Sequence, residues 1–207
     1  MLERVDVAAC IETPMLQGRQ RGREHYIRLC DRAKHMRRGG IVLLDFSGCQ
    51  SITGSWINTA IAPFYRWAAE PSNDVFPVLT NLRLEWAEEF DVVGCWNGQA
   101  YLVADLKAHT GIVVGKVESP YLETYDAVVQ LQQATGAQIV RHWNQPDIKA
   151  TAVNNRLKEL YDKRLLLRRK HGREQIYKTV YMEVDTSGRQ LFERTVQESA
   201  EAEGSRS

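Results

Sequence analysis

The sequence lacks the residue spacings that metal and thiol chemistry need. Its four cysteines, Cys10, Cys30, Cys49 and Cys95, include no C-x-x-C pair. That argues against a zinc ribbon and against a dithiol redox site. Each sits among apolar or small residues, where a buried structural thiol is the ordinary reading. The five histidines, at 25, 35, 109, 142 and 171, form no metal-spaced pair. No metal or other cofactor is expected. Long apolar runs are also missing, since nothing approaches the roughly 20 residues a membrane helix needs. The first residues, M-L-E-R-V-D-V, are charged where a secretion signal has its apolar core. A cytoplasmic protein with no membrane association is expected.

Catalytic groupings are equally scarce. Asp45 closes an apolar run, as a metal-binding or nucleotide-binding carboxylate does, but no second carboxylate or phosphate-cradling glycine loop accompanies it. Gly39-Gly40 is not a Walker pattern. Glu85, Glu88 and Glu89 read as a solvated helix face rather than an acid/base pair. An enzyme is not expected. There is no internal repeat.

What is present is an ordinary globular composition, 43% hydrophobic and 26% charged over 207 residues. That length suits one large domain or two small ones. Residues 4–11 alternate weakly and predict a strand. Residues 19–38 predict a helix with Tyr26, Leu29, Cys30, Ala33 and Met36 on one face. This stretch holds eight cations against Glu24 and Asp31. It is either a second phosphate-contacting surface or a solvated helix face.

Gly39-Gly40 ends that helix, and I-V-L-L-D-F then reads as a fully buried strand. A loop leads to a helix beginning near Ser55, with Pro63 expected to kink it or end its first turn. Val75–Thr80 predicts a strand, and Pro77 places it at a sheet edge. A helix over 82–92 and short strands over 100–104 and 112–117 complete an α/β layer domain. From Asp74 to Glu118 seven acids face three cations.

A second unit begins at Ser119-Pro120, a serine N-cap followed by proline. Its first helix has Tyr121, Leu122, Tyr125, Val128 and Val129 inward and is expected to end at Thr135-Gly136. A short helix follows over 137–144, then a turn at Pro146-Asp147, with Asp147 a candidate N-cap for the next helix. In that helix Val153, Leu157 and Leu160 fall at i, i+4 and i+7. Thr151, Asn154, Asn155, Lys158 and Asp162 then share the opposite face. Amides, a hydroxyl and a cation suit hydrogen bonding to base edges and phosphates. Strands over 165–169 and 175–180 flank a tip at His171-Gly172, where glycine supplies the positive φ of a tight hairpin.

Positive charge is concentrated here. From Lys149 to Lys178 ten cations oppose three acids, a local balance of +7 in a chain whose total is +1. Ile148, Thr151, Ala152, Val153, Arg156, Leu157, Leu160, Leu165 and the cationic run Arg168–Arg173 resemble the recognition helix and wing of winged helix-turn-helix proteins. The resemblance implies a helix in the major groove and a wing along the phosphates. Lys149, Thr151, Asn154, Asn155, Arg156, Lys158, Arg168, Arg169, Lys170 and Arg173 are then the candidate contacts to double-stranded DNA. The other use of such a unit is as a platform for protein contacts.

The amino-terminal half carries a second resemblance. Gly22, Arg23, Tyr26, Leu29, the strand Val42–Phe46, Gly48, Ile52, Ser55 and Trp56 are similar to STAS-like domains, relatives of the anti-sigma-factor antagonists. That likeness implies a mixed-sheet α/β domain that binds a partner, with Ser55 a candidate phosphorylation site for a kinase-like ATPase. A phosphate there lies at a helix amino terminus, where the dipole favours it. Ser55 reads equally as a plain N-cap.

The expected organisation is an α/β chain: a STAS-like domain over 1–118, a winged helix-turn-helix domain over 119–187 and a flexible tail over 188–207. The expected function is sequence-specific DNA binding in transcriptional regulation, with the first domain sensing a partner or assembling a homo-oligomer such as a dimer. The alternative is a signalling module that docks a protein.

Overall fold

The computed structural model describes residues 1–105, 110–144 and 147–180. The tail over 188–207, the end of the second unit over 181–187, Lys107, His109 and Pro146 lie outside the described residues.

The chain is a mixed α/β protein. Its main sheet has the order β1-β3-β5-β6-β7, where β1 is Leu2–Asp6, β3 Ile41–Asp45, β5 Phe76–Thr80, β6 Ala100–Asp105 and β7 Thr110–Gly115. The first four strands run parallel, and β7 pairs antiparallel with β6 at the edge. Strands are added in one direction, so right-handed crossovers place every connecting helix on the same face. These helices are α2 (Arg19–Ala33), α3 (Gly54–Ala69) and α4 (Leu84–Asn97). Leu29, Trp56, Ile57, Phe64, Phe90 and Val93 pack there against Val42, Leu44, Tyr101 and Val103.

That topology leaves the other face of the sheet bare, and the carboxy-terminal third covers it. Ile41, Leu43, Phe76, Val78, Ala100, Leu102 and Ala104 share one core with Tyr125, Val128, Ile139, Val153, Leu157 and Leu160. Burial on both faces explains why β3 and β6 are apolar without alternation. The covering unit contains α5 (Ser119–Leu131), β8 (Gln133–Ala134), α6 (Gly136–Trp143), α7 (Ala150–Asp162), β9 (Leu166–His171) and β10 (Glu174–Thr179). Its three strands form an antiparallel sheet in the order β8-β10-β9.

Several expectations need correction. The stretch predicted as one strand over 4–11 divides at Asp6, whose carboxylate accepts from the Ala9 N–H and starts the short helix α1 (Val7–Ile11). The helix predicted over 19–38 stops at Ala33. A further pair, β2 (Met15–Leu16) and β4 (Ser51–Ile52), was not foreseen. α3 continues past Pro63 to Ala69.

β5 is an interior strand despite Pro77. Phe76 donates to Gly40 on the β3 side, so Pro77 faces β6, where registered pairing begins only at Leu79. The Tyr65 hydroxyl donates to the Pro77 carbonyl at 3.2 Å. The missing N–H therefore falls where the ladder has not started.

Glu118, not Ser119, is the N-cap of α5, which ends at Leu131. Thr135 begins α6 rather than ending α5: its hydroxyl accepts from the Gln138 N–H, and Gln138 reaches back to the Thr135 N–H. This reciprocal pair is a capping box. Cys95 is exposed on α4, unlike the buried Cys49 and the half-buried Cys10 and Cys30. Burial pushes the Cys49 thiol up to about 12 and the Cys30 thiol up to about 11.

Candidate nucleic-acid interface

α7 owes its orientation to three buried side chains. Val153, Leu157 and Leu160 are fully enclosed, and each contributes roughly 2 kcal/mol by leaving water. The same 3.6-residue period turns Thr151, Asn154, Asn155, Lys158 and Asp162 outward, and all five are exposed. Lys149 is the N-cap of α7, with no side-chain hydrogen bond, so Asp147 does not cap it. Lys149 is exposed and Arg156 half-buried.

Asn154 meets the start of α6. Its side-chain oxygen lies over Gly136, the first residue of α6, where a methyl group would overlap it. Lys158 donates to Asp162 at 2.8 Å, one turn on. That hydrogen bond and the Asp162 charge raise the Lys158 pKa.

The hairpin stands beside α7. Arg168, Arg169, Lys170 and Arg173 are exposed on it. His171 pairs with Glu174, so the turn is the dipeptide Gly172-Arg173, with Gly172 at φ 60°. A glycine at the first central position fits a two-residue hairpin. The Arg168 guanidinium lies 4.2 Å over the Tyr161 ring, a cation–π contact.

The ten cations of this block do not all face water. Arg164 is buried, bonds Asp74 at 2.7 Å and the Ala69 carbonyl at 2.8 Å, and lies over the Phe76 ring. Lys163 donates to the Gly98 carbonyl at 3.3 Å. These two hold the covering unit on the sheet. Sequence reasoning counted them with the exposed charge, because a basic residue at a helix end gives no local sign of a distant carboxylate. Arg141, exposed on the last turn of α6, was not singled out, and its place near a helix carboxy terminus was the available signal.

The other sequence candidates are placed elsewhere. Asp45 is buried, and its carboxylate accepts from Arg4 at 2.8 Å, the Ser47 N–H at 3.0 Å and Asn81 at 2.7 Å. Burial pushes its pKa up, but those donors outweigh it and hold it below the usual range. Its hydrogen-bonding capacity is largely taken up by tying β1 and the loop after β5 to the end of β3. Ser55 lies inside the first turn of α3, 3.2 Å from the hydroxyl of Thr53, which is the N-cap. The Glu89 carboxylate lies against Gly54 at this helix start. Among the described residues, no three His, Cys, Asp or Glu side chains converge in a way that could hold a metal ion. No helix of the described residues is long and apolar enough to cross a membrane.

On the long basic stretch before Gly39, Arg28 pairs with Glu12, Arg32 with Glu3 and Lys34 with Asp31. Arg37 and Arg38, at its end, are exposed.

No protein-family description matches the chain, and no curated protein matches it either.

Proposed function

We propose that the protein binds double-stranded DNA sequence-specifically and regulates transcription. α7 would lie in the major groove and the β9–β10 hairpin along the phosphates. One observation carries this reading: Thr151, Asn154, Asn155 and Lys158 are exposed together on one face of α7, beside the four hairpin cations. Amides that donate and accept at once suit base edges, and the hairpin cations suit phosphates. The element order also supports it. Three helices followed by a hairpin, with β8 as third strand, is the arrangement expected of a winged helix-turn-helix unit.

In this reading the α/β half, similar to STAS-like domains, assembles the protein or meets a partner. Its edge strand β7 and neighbouring helix α4 expose Ile112 at 53% and Trp96 at 81%. Apolar groups beside a sheet edge that no other described strand pairs with favour association, and two copies would read two half-sites. That same surface favours, as a second reading, a module that docks a protein. Phosphorylation of Ser55 would set a second negative group near Glu89, which weighs against a switch there.

Selecting bound fragments from genomic DNA tests the reading. Enrichment of one sequence pattern is expected. Recovery of fragments without a shared pattern, or of none, together with a co-purifying protein, would favour the docking module.

A further inference from the structure

Docking of the carboxy-terminal unit against the sheet encloses a space that neither half has alone. A cavity of about 230 Å³ lies between the starts of β1, β3 and β5 and the root of the hairpin. Ligands of α/β sheets usually bind at the opposite, carboxyl ends of the strands. Here that end is occupied by the Asp45 network, whereas the amino-terminal end is open.

The walls divide by chemistry. The half-buried Leu2, Leu167 and Tyr161 supply apolar surface over the buried Ile41 and Phe76, with the Phe76 and Tyr161 rings 5.7 Å apart. Arg168 supplies positive charge at the mouth. The one acidic wall residue, Asp74, is already engaged by Arg164 and by the Tyr161 hydroxyl at 3.3 Å. A wall that carries Arg168 and Arg169, and whose carboxylate at Asp74 is already engaged, favours a negative guest.

We propose that this cavity binds a small amphipathic anion, a carboxylate or phosphate monoester on a ring-sized apolar body. The ring would lie against Leu2, Leu167 and Tyr161. The anionic group would accept from the N–H groups of Arg168. The site depends on the junction of the two halves and not on DNA binding.

Calorimetric titration of the full chain with benzoate, phenyl phosphate and inorganic phosphate tests it without nucleic acid. At least one aromatic anion is expected to bind at one site with Kd of about 1 mM or tighter. The tighter of the two identifies the anionic group. Inorganic phosphate should bind at least about tenfold more weakly, because it leaves the apolar walls unfilled. Arg168→Glu should weaken the aromatic anion by about tenfold or more. Arg168 is exposed, so this change leaves folding intact, which a thermal melt checks. No saturable binding of either aromatic anion, equal binding of inorganic phosphate, or unchanged binding by Arg168→Glu would each overturn the proposal.

Discussion

Arg164 and Asp74, 90 residues apart, meet in a 2.7 Å ion pair, and both have positive φ, 65° and 46°. Arg164 is the residue after the C-cap of α7. The Arg164 N–H bonds the Tyr161 carbonyl, and the Leu165 N–H bonds the Leu160 carbonyl. That is the Schellman pattern, whose left-handed position glycine normally fills. An arginine there costs about 1 kcal/mol of backbone strain. Its side chain recovers this through Asp74, Ala69 and Phe76, so the turn that ends α7 also locks it to the sheet.

Arg164→Gly separates the two contributions. The backbone is relieved, but Asp74 and the Ala69 carbonyl lose their donor. A net destabilisation of about 2–3 kcal/mol is expected, below the usual cost of breaking a fully buried pair because Asp74 keeps some contact with water. Denaturant midpoints of wild type and variant measure it. An unchanged or raised midpoint would show that the pair does not hold the two halves together.

Gly136→Ala acts on Asn154 without touching the α7 surface directly. The new methyl group would displace the asparagine oxygen. A flexible side chain gives way cheaply, so stability should fall by no more than about 1–2 kcal/mol. If Asn154 reads a base, discrimination at one position of the selected sequence should weaken while salt sensitivity is unchanged. Competition binding with single-base variants of that sequence measures this, and unaltered discrimination would remove Asn154 from the reading face.

A pH effect should arise far from the interface. The Trp56 indole donates to Nδ1 of the buried His25 at 2.8 Å, which requires that nitrogen to be deprotonated. Burial, assisted by the Arg28 charge, lowers the His25 pKa from 6.5. As pH falls, the unfolded chain takes up this proton first. Stability from this group is full above 6.5 and declines below it until the folded imidazole also protonates. Denaturation curves at several pH values should show this decline in wild type and a shallower one in His25→Gln. Equal slopes would assign the acid sensitivity to other groups.

Much of the layout was legible because period and punctuation agree. The unbroken apolar run of β3 reported burial on both faces. The spacing of Val153, Leu157 and Leu160 reported which side of α7 faces inward. Long-range relations were not legible. Pro77 looked like an edge residue because only the β5–β6 register shows that its missing N–H falls before pairing starts. Thr135 looked like a stop because its partner Gln138 lies on the far side of the boundary. Arg164 looked like exposed charge because Asp74 belongs to the other half of the chain. The candidate contacts on α7 and the hairpin were readable from local pattern alone, whereas the cavity at the junction was not.

The salt dependence of affinity for a selected duplex, compared between wild type and Asn154→Ala/Asn155→Ala/Lys158→Ala, tests the central claim most directly. Wild-type affinity should fall steeply with salt, by about 0.9 log units per log unit for each phosphate neutralised. The triple variant should lose about 1–3 kcal/mol for each base contact removed, and with it the preference for the selected sequence. Affinity that is flat with salt, or a triple variant that keeps wild-type affinity and preference, would contradict the account.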